Sequence, residues 1–546
     1  MQKILMKYDK LEEASMKYIK ISIVILLVSF ISIFAYKLTT NNSTNKLSLT
    51  KEQMKEMLSY TIDGNKTSSM PTKGSGYKVK SITCKNGSIL SWDNDNWLLE
   101  VEKVESEDLC NIDFTKNETL YNVKLIPTIS KSFDSTSKTT TKNGTTTFYT
   151  NLKIKNITGC DSEILKGKVV IKNVTSNTTC NVEITKNIYN MLLINNPIIK
   201  TRTDFNSAFS ETNTETLFKA QEDNTDVYYF SGFPTNNWVK FGTFNTDKTI
   251  YKGWGTYGDE KGYKIYDSMS ECTNASSFNS NCEETILWKN GDPMYWRIIR
   301  TNKDGSVRLL YHGTSPEEDN AYIEIMPFAD HNNDPMYVGY MYGTSGSLDN
   351  NRTNENNSKI KLTIDDWYEK NLIVYTKYLS NSAVYCNDRN LFTNHIYNLN
   401  GTFEFAFRER LNNRKPVYNC IDVRDAFSAD NKMAKLKYPI GLITGDDFIY
   451  SGQYSIGGDT NISFIDTNSK KINSIGDNYW WSMTASIRYD NLAYVVYGAG
   501  NTHAGYSVGS GVGRDLAVRP VISLNGENLW KSGDGSASNP YEIVLN

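Results

Sequence analysis

Short runs of alternating apolar and polar residues dominate the chain between residues 76 and 200. KGKVVIKNV (166–174) is one such run, and alternation of this kind is typical of half-buried β-strands. The runs surround an internal repeat, because VESEDLCNIDFTK (104–116) matches VTSNTTCNVEITK (174–186), and another cysteine precedes each copy. The pattern predicts two β-modules, at 76–128 and 129–200, each a small two-cysteine sandwich or barrel. Because neither copy carries a cluster of reactive side chains, we expect a spacer; ligand binding by the modules is the alternative.

The pattern changes near residue 206, where strands and a helix alternate in one longer region. DPMYWRIIRTNKDGSVRLLYHG (292–313) predicts a β-hairpin in which Trp296, Ile298 and Arg300 share one face. Its turn is predicted at Lys303-Asp304-Gly305. Helix-like spacing follows at 360–380, with apolar positions at Ile364, Trp367, Tyr368 and Leu372. Residues 206–546 are therefore expected to form one C-terminal α+β domain, in a chain that is mainly β with some helix.

One segment near the start is uniformly apolar instead of alternating. Residues 21–36 carry no charge and lie between Lys20 and Lys37. As a helix they reach roughly 24 Å, somewhat less than the bilayer core of about 30 Å, and the lysine stems can extend the span. The excess of lysine before this segment places the N-terminus in the cytoplasm. We therefore predict a cytoplasmic stub (1–20), a transmembrane anchor (21–38) and a linker (39–75); a cleaved signal peptide is the alternative.

The cysteines agree with export. They fall into four neighbouring pairs, and none has the spacing of a zinc site. An even number outside the membrane favours disulfides, with sequential pairing as the simplest scheme; eight buried free thiols are the alternative. The predicted disulfide residues are Cys84, Cys110, Cys160, Cys180, Cys272, Cys282, Cys386 and Cys420.

Composition narrows the class of partner. The net charge of -2 gives no pull towards nucleic acid, and the sequence has neither a nucleotide-binding loop nor a basic aromatic patch. The 35 tyrosines suit a binding surface, since tyrosine is large, stiff and amphipathic. Codon bias in an AT-rich genome explains them equally well, so composition alone does not decide.

A segment near the C-terminus, 479–524, joins the most aromatic part of the chain to a flexible one. It begins YWWSM and ends in an alternation at 516–524 that predicts a half-buried strand, with Pro520 at an edge or bulge. One tryptophan of the pair is expected to be buried and the other to lie at the rim. Six glycines between 498 and 513 are poor core material, so the middle is predicted to be a presented surface. The alternative is that its tyrosines pack into the sheet and its glycines only form turns. The candidate ligand contacts are Trp481, Tyr494, Tyr497, Asn501, His503, Tyr506, Arg514 and Asp515.

Several motifs in order resemble a family of exported proteins from low-GC Gram-positive bacteria. They include YWRIIRTNKDGSVRLLY, DDWYEKNL, YPIGLIT, YWWSMTAS, VRPVISL and SASNPYEI, and the resemblance covers roughly 76–546. The family combines two-cysteine β-modules with a C-terminal domain of unknown function. The ending also resembles C-type-lectin-like domains related to the formylglycine-generating-enzyme fold. The resemblance implies architecture, export and ligand binding, and implies no particular activity.

Catalytic and metal-binding patterns are weak. The four histidines share no motif, and the acidic pairs 365–366 and 446–447 are more often helix starts or solvated turns than the carboxylates of a glycosidase. DNDN (93–96) and DHNNDP (330–335) contain oxygen ligands for calcium but do not match an EF-hand loop, so turns are favoured. We therefore expect no catalytic residue, metal or cofactor.

Three functions are compatible with these features. The preferred one is a single-pass membrane protein whose bulk is extracellular and whose C-terminal lectin-like domain binds a glycan or protein in adhesion or recognition. An extracellular hydrolase that modifies cell wall or glycan is the first alternative, and a structural envelope protein is the second. No nucleic-acid partner is expected in any of them.

Overall fold

A computed structural model describes most of the chain beyond residue 54. The described residues are 55–116, 120–129, 132–196, 200–205, 217–257, 260–317, 321–399, 403–452, 464–465, 479–485, 492–497, 507–513 and 515–546. Strands account for 42% of the structure and helices for 15%, so the prediction of a mainly β chain with some helix is confirmed. None of the helices in this part of the chain is long and apolar enough to span a bilayer. The anchor predicted at 21–38 lies outside the described residues.

The described chain divides into two compact units. Unit 1 comprises 55–126, 135–148 and 158–181, whereas unit 2 comprises 127–134, 149–157 and the described residues from 182 onwards. Thirteen strands lie in residues 58–184: β1 Leu58–Ile62, β2 Asn65–Thr67, β3 Tyr77–Cys84, β4 Ile89–Asp93, β5 Leu98–Lys103, β6 Cys110–Lys116, β7 Leu120–Pro127, β8 Ser137–Thr141, β9 Gly144–Tyr149, β10 Ile154–Thr158, β11 Ser162–Leu165, β12 Lys168–Val174 and β13 Thr178–Ile184.

Unit 1 begins earlier than the sequence predicts. Strand β1 pairs parallel with β6, and β2 pairs antiparallel with β1, in a sheet of order β2-β1-β6-β3. Part of 39–75 is therefore sheet, and the prediction of a linker is wrong for residues 58–67. The physical reason is apolar burial, because Leu58, Tyr60 and Ile62 pack against a core that contains Ile112 and Phe114.

The two copies of the internal repeat have the same pattern of burial. Cys110, Ile112 and Phe114 in β6 are buried, and so are their counterparts Cys180, Val182 and Ile184 in β13. In each copy the repeated cysteine forms a disulfide with the cysteine upstream, Cys84 for Cys110 and Cys160 for Cys180. The repeated motif is therefore a strand with one cross-linked, inward-facing side.

The turn after β3 depends on one carboxylate. Asp108 accepts hydrogen bonds from the backbone N–H groups of Asn86 at 2.7 Å and Ser88 at 2.8 Å. Burial opposes ionisation of Asp108, but hydrogen bonds to the carboxylate outweigh it and lower the pKa to about 2.

The pKa of Asp108 predicts a pH-dependent stability for unit 1. The stabilisation is fully present above the unfolded pKa of about 3.9, and it is lost as the pH falls through about 2. We expect Asp108→Asn to be less stable than the wild type in urea at neutral pH, with the gap narrowing as the pH falls below about 4. A gap that stays constant across this range would contradict the assignment.

Unit 2 is built around an eight-stranded sheet. Its order is β14-β15-β16-β21-β22-β33-β28, and β17 also pairs with β21. The strands of unit 2 beyond residue 184 are β14 Lys200–Thr201, β15 Leu217–Glu222, β16 Thr225–Phe230, β17 Trp238–Thr243, β18 Lys248–Tyr257, β19 Glu260–Tyr266, β20 Cys282–Trp288, β21 Pro293–Thr301, β22 Val307–Gly313, β23 Glu324–Met326, β24 Met341–Tyr342, β25 Asn356–Asn357, β26 Tyr385–Cys386, β27 Ala426–Phe427, β28 Ile440–Gly441, β29 Tyr479–Ala485, β30 Leu492–Tyr497, β31 Ser507–Gly511, β32 Leu516–Val518, β33 Val521–Leu524, β34 Trp530–Ser532 and β35 Glu542–Ile543.

The hairpin at the centre of this sheet is confirmed, but the predicted common face of Trp296, Ile298 and Arg300 is wrong. A bulge between Ile298 and Arg300 shifts the register, so that Arg300 lies on the opposite face. Strands β21 and β22 are antiparallel, and Gly305 supplies the positive φ of +82° in their turn. The backbone N–H of Asn302 donates to Ser306 O at 2.9 Å and closes the turn. Both faces of the hairpin are buried, however, because neighbouring strands and helices cover the sheet. Arg297 and Arg300 are therefore interior residues.

The helices of unit 2 are short. They are α1 Ile188–Asn195, α2 Met269–Asn274, α3 Leu348–Asn351, α4 Lys359–Asn371, α5 Ala406–Asn413 and α6 Gly445–Ser451, with 3-10 helices at Pro335–Val338 and Ile373–Tyr378. The helix predicted at 360–380 is therefore two elements, and its predicted apolar positions are all buried. Ser358 caps α4 by accepting the N–H of Lys361 at 3.3 Å. The acidic pair 365–366 lies in the middle of α4, so its predicted place near the helix start is wrong.

The end of the chain is more deeply buried than predicted. Residues 516–524 form two strands in different sheets, β32 and β33, and every residue from 516 to 524 is buried. The prediction of a single half-buried strand is therefore wrong. Strand β33 pairs with β22 on one edge and β28 on the other, and its four residues are all buried. Pro520 lies between the two strands.

Candidate functional site

The aromatic pair of the C-terminal segment belongs to the core. Trp480 and Trp481 are both fully buried in β29. The indole Nε1 of Trp481 donates to Met326 O at 2.9 Å, and its ring meets Phe328 edge-on at 5.6 Å. Trp481 is therefore a packing residue, and its predicted place among the surface contacts is wrong. Strand β29 lies between β30 and β32 in its sheet, and the full burial of both tryptophans leaves neither of them at a rim.

The other predicted contacts are only partly placed. Tyr494 and Tyr497 lie in β30, with Tyr494 opposite Gly509 and Tyr497 opposite Tyr479. Asp515 is exposed just before β32. Asn501, His503, Tyr506 and Arg514 lie outside the described residues, so the presented surface stays a prediction.

A recess that sequence reasoning missed lies elsewhere in unit 2. It has a volume of about 270 Å³, and we call it the Trp recess. It is lined by Thr246, Asp247, Lys248, Trp288, Ile323, Glu324, Thr363, Asp366, Trp367, Lys370 and Asn371. These residues come from four separate stretches of the chain, so no local motif marks the site. Trp367 could be predicted only as a core residue of α4.

The two tryptophans give the recess a rigid apolar wall. Trp288 stacks on Phe244 with ring centroids 4.5 Å apart, and Trp367 meets Tyr311 edge-on at 5.7 Å. Both tryptophans are more than nine-tenths buried. The Nε1 of Trp367 has no hydrogen-bond partner among the described residues, whereas that of Trp288 donates to Thr246 at 3.4 Å. The wall is thus held in place by the aromatic core of unit 2.

The C-terminal end of α4 is hydrogen-bonded to the opposite side of the recess. Asn371 Oδ1 accepts from the backbone N–H of Asn245 at 3.1 Å and from the Thr246 hydroxyl at 2.9 Å. Its amide donates back to Trp367 O at 3.2 Å. These bonds connect the strand-end segment 244–246 with the helix, so the shape of the recess does not depend on a mobile side chain.

Most charges of the recess are paired with one another. Lys248 Nζ lies 2.8 Å from Glu324 Oε2, and Lys370 Nζ lies 2.6 Å from Asp366 Oδ2. The carboxylate of Asp247 accepts the backbone N–H of Asn290 at 2.7 Å and has no ion-pair partner among the described residues. The recess therefore offers both hydrogen-bond donors and hydrogen-bond acceptors beside an aromatic wall.

Asp446, the first residue of the acidic pair 446–447, lines a second, much smaller cavity. It measures about 20 Å³ and is lined by Arg300, Arg308, Val384, Cys386, Asp388, Arg410, Val417, Tyr418, Asn419, Thr444, Asp446 and Thr484. A space of this size holds a ligand no larger than about one or two water molecules. The cavity cannot accept a sugar.

Both carboxylates of this pair have structural partners. Asp447 completes a capping box with Thr444 at the start of α6, which confirms the helix-start interpretation. Asp446 accepts from Arg410 Nε at 2.9 Å and Nη2 at 2.7 Å. Burial raises the pKa of Asp446 against the opposing effect of Arg410. These contacts favour a structural role for the pair over that of a catalytic acid and base.

The two segments considered for calcium are turns. Asp93 accepts the backbone N–H groups of Asp95 at 2.9 Å and Asn96 at 3.0 Å, and it caps its own turn. Asp334 likewise caps the 3-10 helix Pro335–Val338 through the N–H of Met336 at 2.8 Å. The three-residue group Cys84, Asp108 and Cys110 contains a disulfide, so its sulfur atoms are not available as thiolate ligands.

All four predicted disulfides are confirmed. Cys84 pairs with Cys110, Cys160 with Cys180, Cys272 with Cys282 and Cys386 with Cys420. Each bond joins neighbouring cysteines in sequence. The chain matches no family model, no curated protein and no solved structure.

Proposed function

We propose that this chain is an extracellular, membrane-anchored surface protein whose unit 2 binds a glycan in the Trp recess. The observation that carries the proposal is the recess itself, a concave site with a rigid aromatic wall and several polar groups. Sites for small ligands typically combine these features at volumes upwards of roughly 300 Å³. The recess, at about 270 Å³, suits a ligand of the size of one sugar residue.

The chemistry of the lining favours a sugar over an apolar ligand. A pyranose ring has an apolar face for an aromatic wall and hydroxyl groups that both donate and accept hydrogen bonds. The recess provides acceptors at Asp247 and Glu324, and donors at Lys248 and Lys370. A protein ligand that binds through a flat surface does not require a concave site. A glycan is therefore preferred here over a protein ligand.

Export is supported by the state of the cysteines. All eight are in disulfides, and such bonds persist in oxidising compartments. The membrane anchor rests on the apolar run at 21–36 and its flanking lysines. Together these features support the proposal that the binding domain lies outside the cell.

Filling the recess tests the proposal. Thr363 lines the recess on the outer side of α4 and is only half-buried, so Thr363→Trp should occupy the site without disturbing the core. We expect this variant of the full chain to lose at least about tenfold in affinity for a glycan identified on an array, because bulk replaces the ligand's volume. Titration calorimetry would measure the change.

The neighbouring position supplies a matched control. Leu362 is 55% exposed and does not line the recess, so Leu362→Trp adds the same bulk to the same helix without filling the site. It should bind as the wild type does. If Thr363→Trp binds normally while alanine at Tyr494, Tyr497 and Tyr506 abolishes binding, the site lies in the C-terminal segment and the recess proposal is wrong.

A further inference from the structure

The Trp recess carries an excess of negative charge. Its lining contains three carboxylates, Asp247, Glu324 and Asp366, and two ammonium groups, Lys248 and Lys370, so its net charge is -1. Asp267 adds to this excess from just outside, because its Oδ1 lies 3.8 Å from Lys248 Nζ. The lining therefore favours a cationic ligand over an anionic one.

The pairing of these groups decides which charge a ligand meets. Lys248 forms an ion pair with Glu324 and Lys370 with Asp366, so a carboxylate of the lining offsets the charge of each ammonium group. Asp247 is exposed, and among the described residues its carboxylate accepts only the backbone N–H of Asn290. A carboxylate has about four lone-pair sites, so most of the accepting capacity of Asp247 is open to a ligand in the recess or to solvent.

We infer that the Trp recess selects amine-bearing sugars, with Asp247 as the residue that recognises the ammonium group. This inference rests on the proposed function and specifies its ligand. An ammonium group on the sugar forms a charge-assisted hydrogen bond with Asp247 and offsets the net charge of the site. A neutral sugar lacks that interaction, and a uronic acid brings a second negative charge towards Asp247.

The inference predicts an order of affinity among three otherwise similar sugars. Methyl glycosides of glucosamine, glucose and glucuronic acid would be titrated into the full chain at about pH 6, where the amine is protonated. We expect the glucosamine derivative to bind about three- to tenfold more tightly than the glucose derivative, and the glucuronate derivative to bind most weakly. Added salt should narrow the difference, since the site is open to solvent.

Substitution of one atom at Asp247 tests the assigned residue. Asp247→Asn keeps an acceptor for the N–H of Asn290 but removes the charge. We expect the affinity ratio of glucosamine to glucose to fall to about one, because the charge that attracts the ammonium group is gone. Glu369→Gln is the matched control, because Glu369 is an exposed carboxylate of α4 that does not line the recess. It should leave the ratio as in the wild type.

The outcomes separate the inference from the proposed function. Equal affinity for the glucosamine and glucose derivatives, with both abolished by Thr363→Trp, would overturn the amine preference and leave the glycan site in place. An amine preference that survives Asp247→Asn would overturn the role of Asp247. Failure of all three glycosides to bind would overturn both the preference and the recess as a sugar site.

Discussion

Replacing Asp425 with alanine is expected to lower the free energy of unfolding of unit 2 by about 3–5 kcal/mol. Asp425 is fully buried between two buried arginines. It accepts from Arg389 Nε at 2.7 Å and from the Arg389 backbone N–H at 2.9 Å. It also accepts from Arg352 Nη2 at 2.6 Å and Nε at 3.1 Å. Alanine would leave both guanidinium groups without this acceptor in a low-dielectric interior, which is among the most costly defects in a folded protein.

The remaining partners of Arg389 are mostly neutral. Its Nη1 donates to Met341 O at 2.9 Å and Asn351 O at 3.1 Å, and its Nη2 donates to Asn354 Oδ1 at 2.9 Å. Burial lowers the pKa of Arg389, and Asp425 acts in the opposite direction. Asp425 is thus the principal counter-charge for this arginine, with a smaller contribution from Asp422, whose Oδ2 also lies 3.1 Å from Arg352 Nη1.

Urea denaturation followed by tryptophan fluorescence would measure the effect. Asp425→Asn keeps the shape and some acceptor capacity, so it should lose less stability than Asp425→Ala. The matched control is Asp349→Ala, because Asp349 is a carboxylate that pairs with an arginine, Arg424, at 2.8 Å but is 81% exposed. An exposed pair contributes at most about 1 kcal/mol. Similar losses for Asp425→Ala and Asp349→Ala would contradict the assigned role of burial.

These buried arginines mark the limit of what the sequence predicts. The hairpin at 292–313 and the four disulfides follow from local spacing, and all of them are confirmed. Arg300 lies in the predicted strand, but its burial depends on Glu222, a residue far away in sequence. The two side chains form an ion pair in which Glu222 Oε2 lies 2.7 Å from Arg300 Nη1. The alternation of apolar and polar residues in a sequence cannot distinguish an arginine that faces solvent from a buried arginine whose charge is neutralised by a carboxylate far away in the chain.

The same limit applies to the candidate sites. The aromatic residues and glycines of the C-terminal segment are adjacent in sequence and predict a presented surface, yet the packing of unit 2 places Trp481 in the core. The Trp recess combines 246–248, Trp288, 323–324 and residues of α4, which come together only through tertiary packing. Its charge pairs show the same dependence, since Lys248 and Glu324 are far apart in the chain. Only the Asp366–Lys370 pair has a spacing that sequence alone could suggest.

Removal of the Cys386–Cys420 disulfide is also expected to lower the free energy of unfolding of unit 2 by a large amount. The bond closes a loop with a sequence separation of 34 residues, which includes α5, Arg389 and Arg410. Chain entropy predicts a loss of about 4 kcal/mol when both cysteines are replaced by serine, because the unfolded chain regains the freedom that the bond removes. Thermal and urea unfolding of the full chain would measure it.

The Cys272–Cys282 bond provides a matched comparison within the same unit. Its sequence separation is only 10 residues, so the same calculation gives about 3 kcal/mol for Cys272→Ser with Cys282→Ser. We therefore expect the Cys386 and Cys420 double variant to be the less stable of the two, by about 1 kcal/mol from loop length alone. The reverse order would mean that local packing outweighs chain entropy, since Cys272 is fully buried against the β18–β19 hairpin. It would then contradict loop closure as the main contribution of these disulfides.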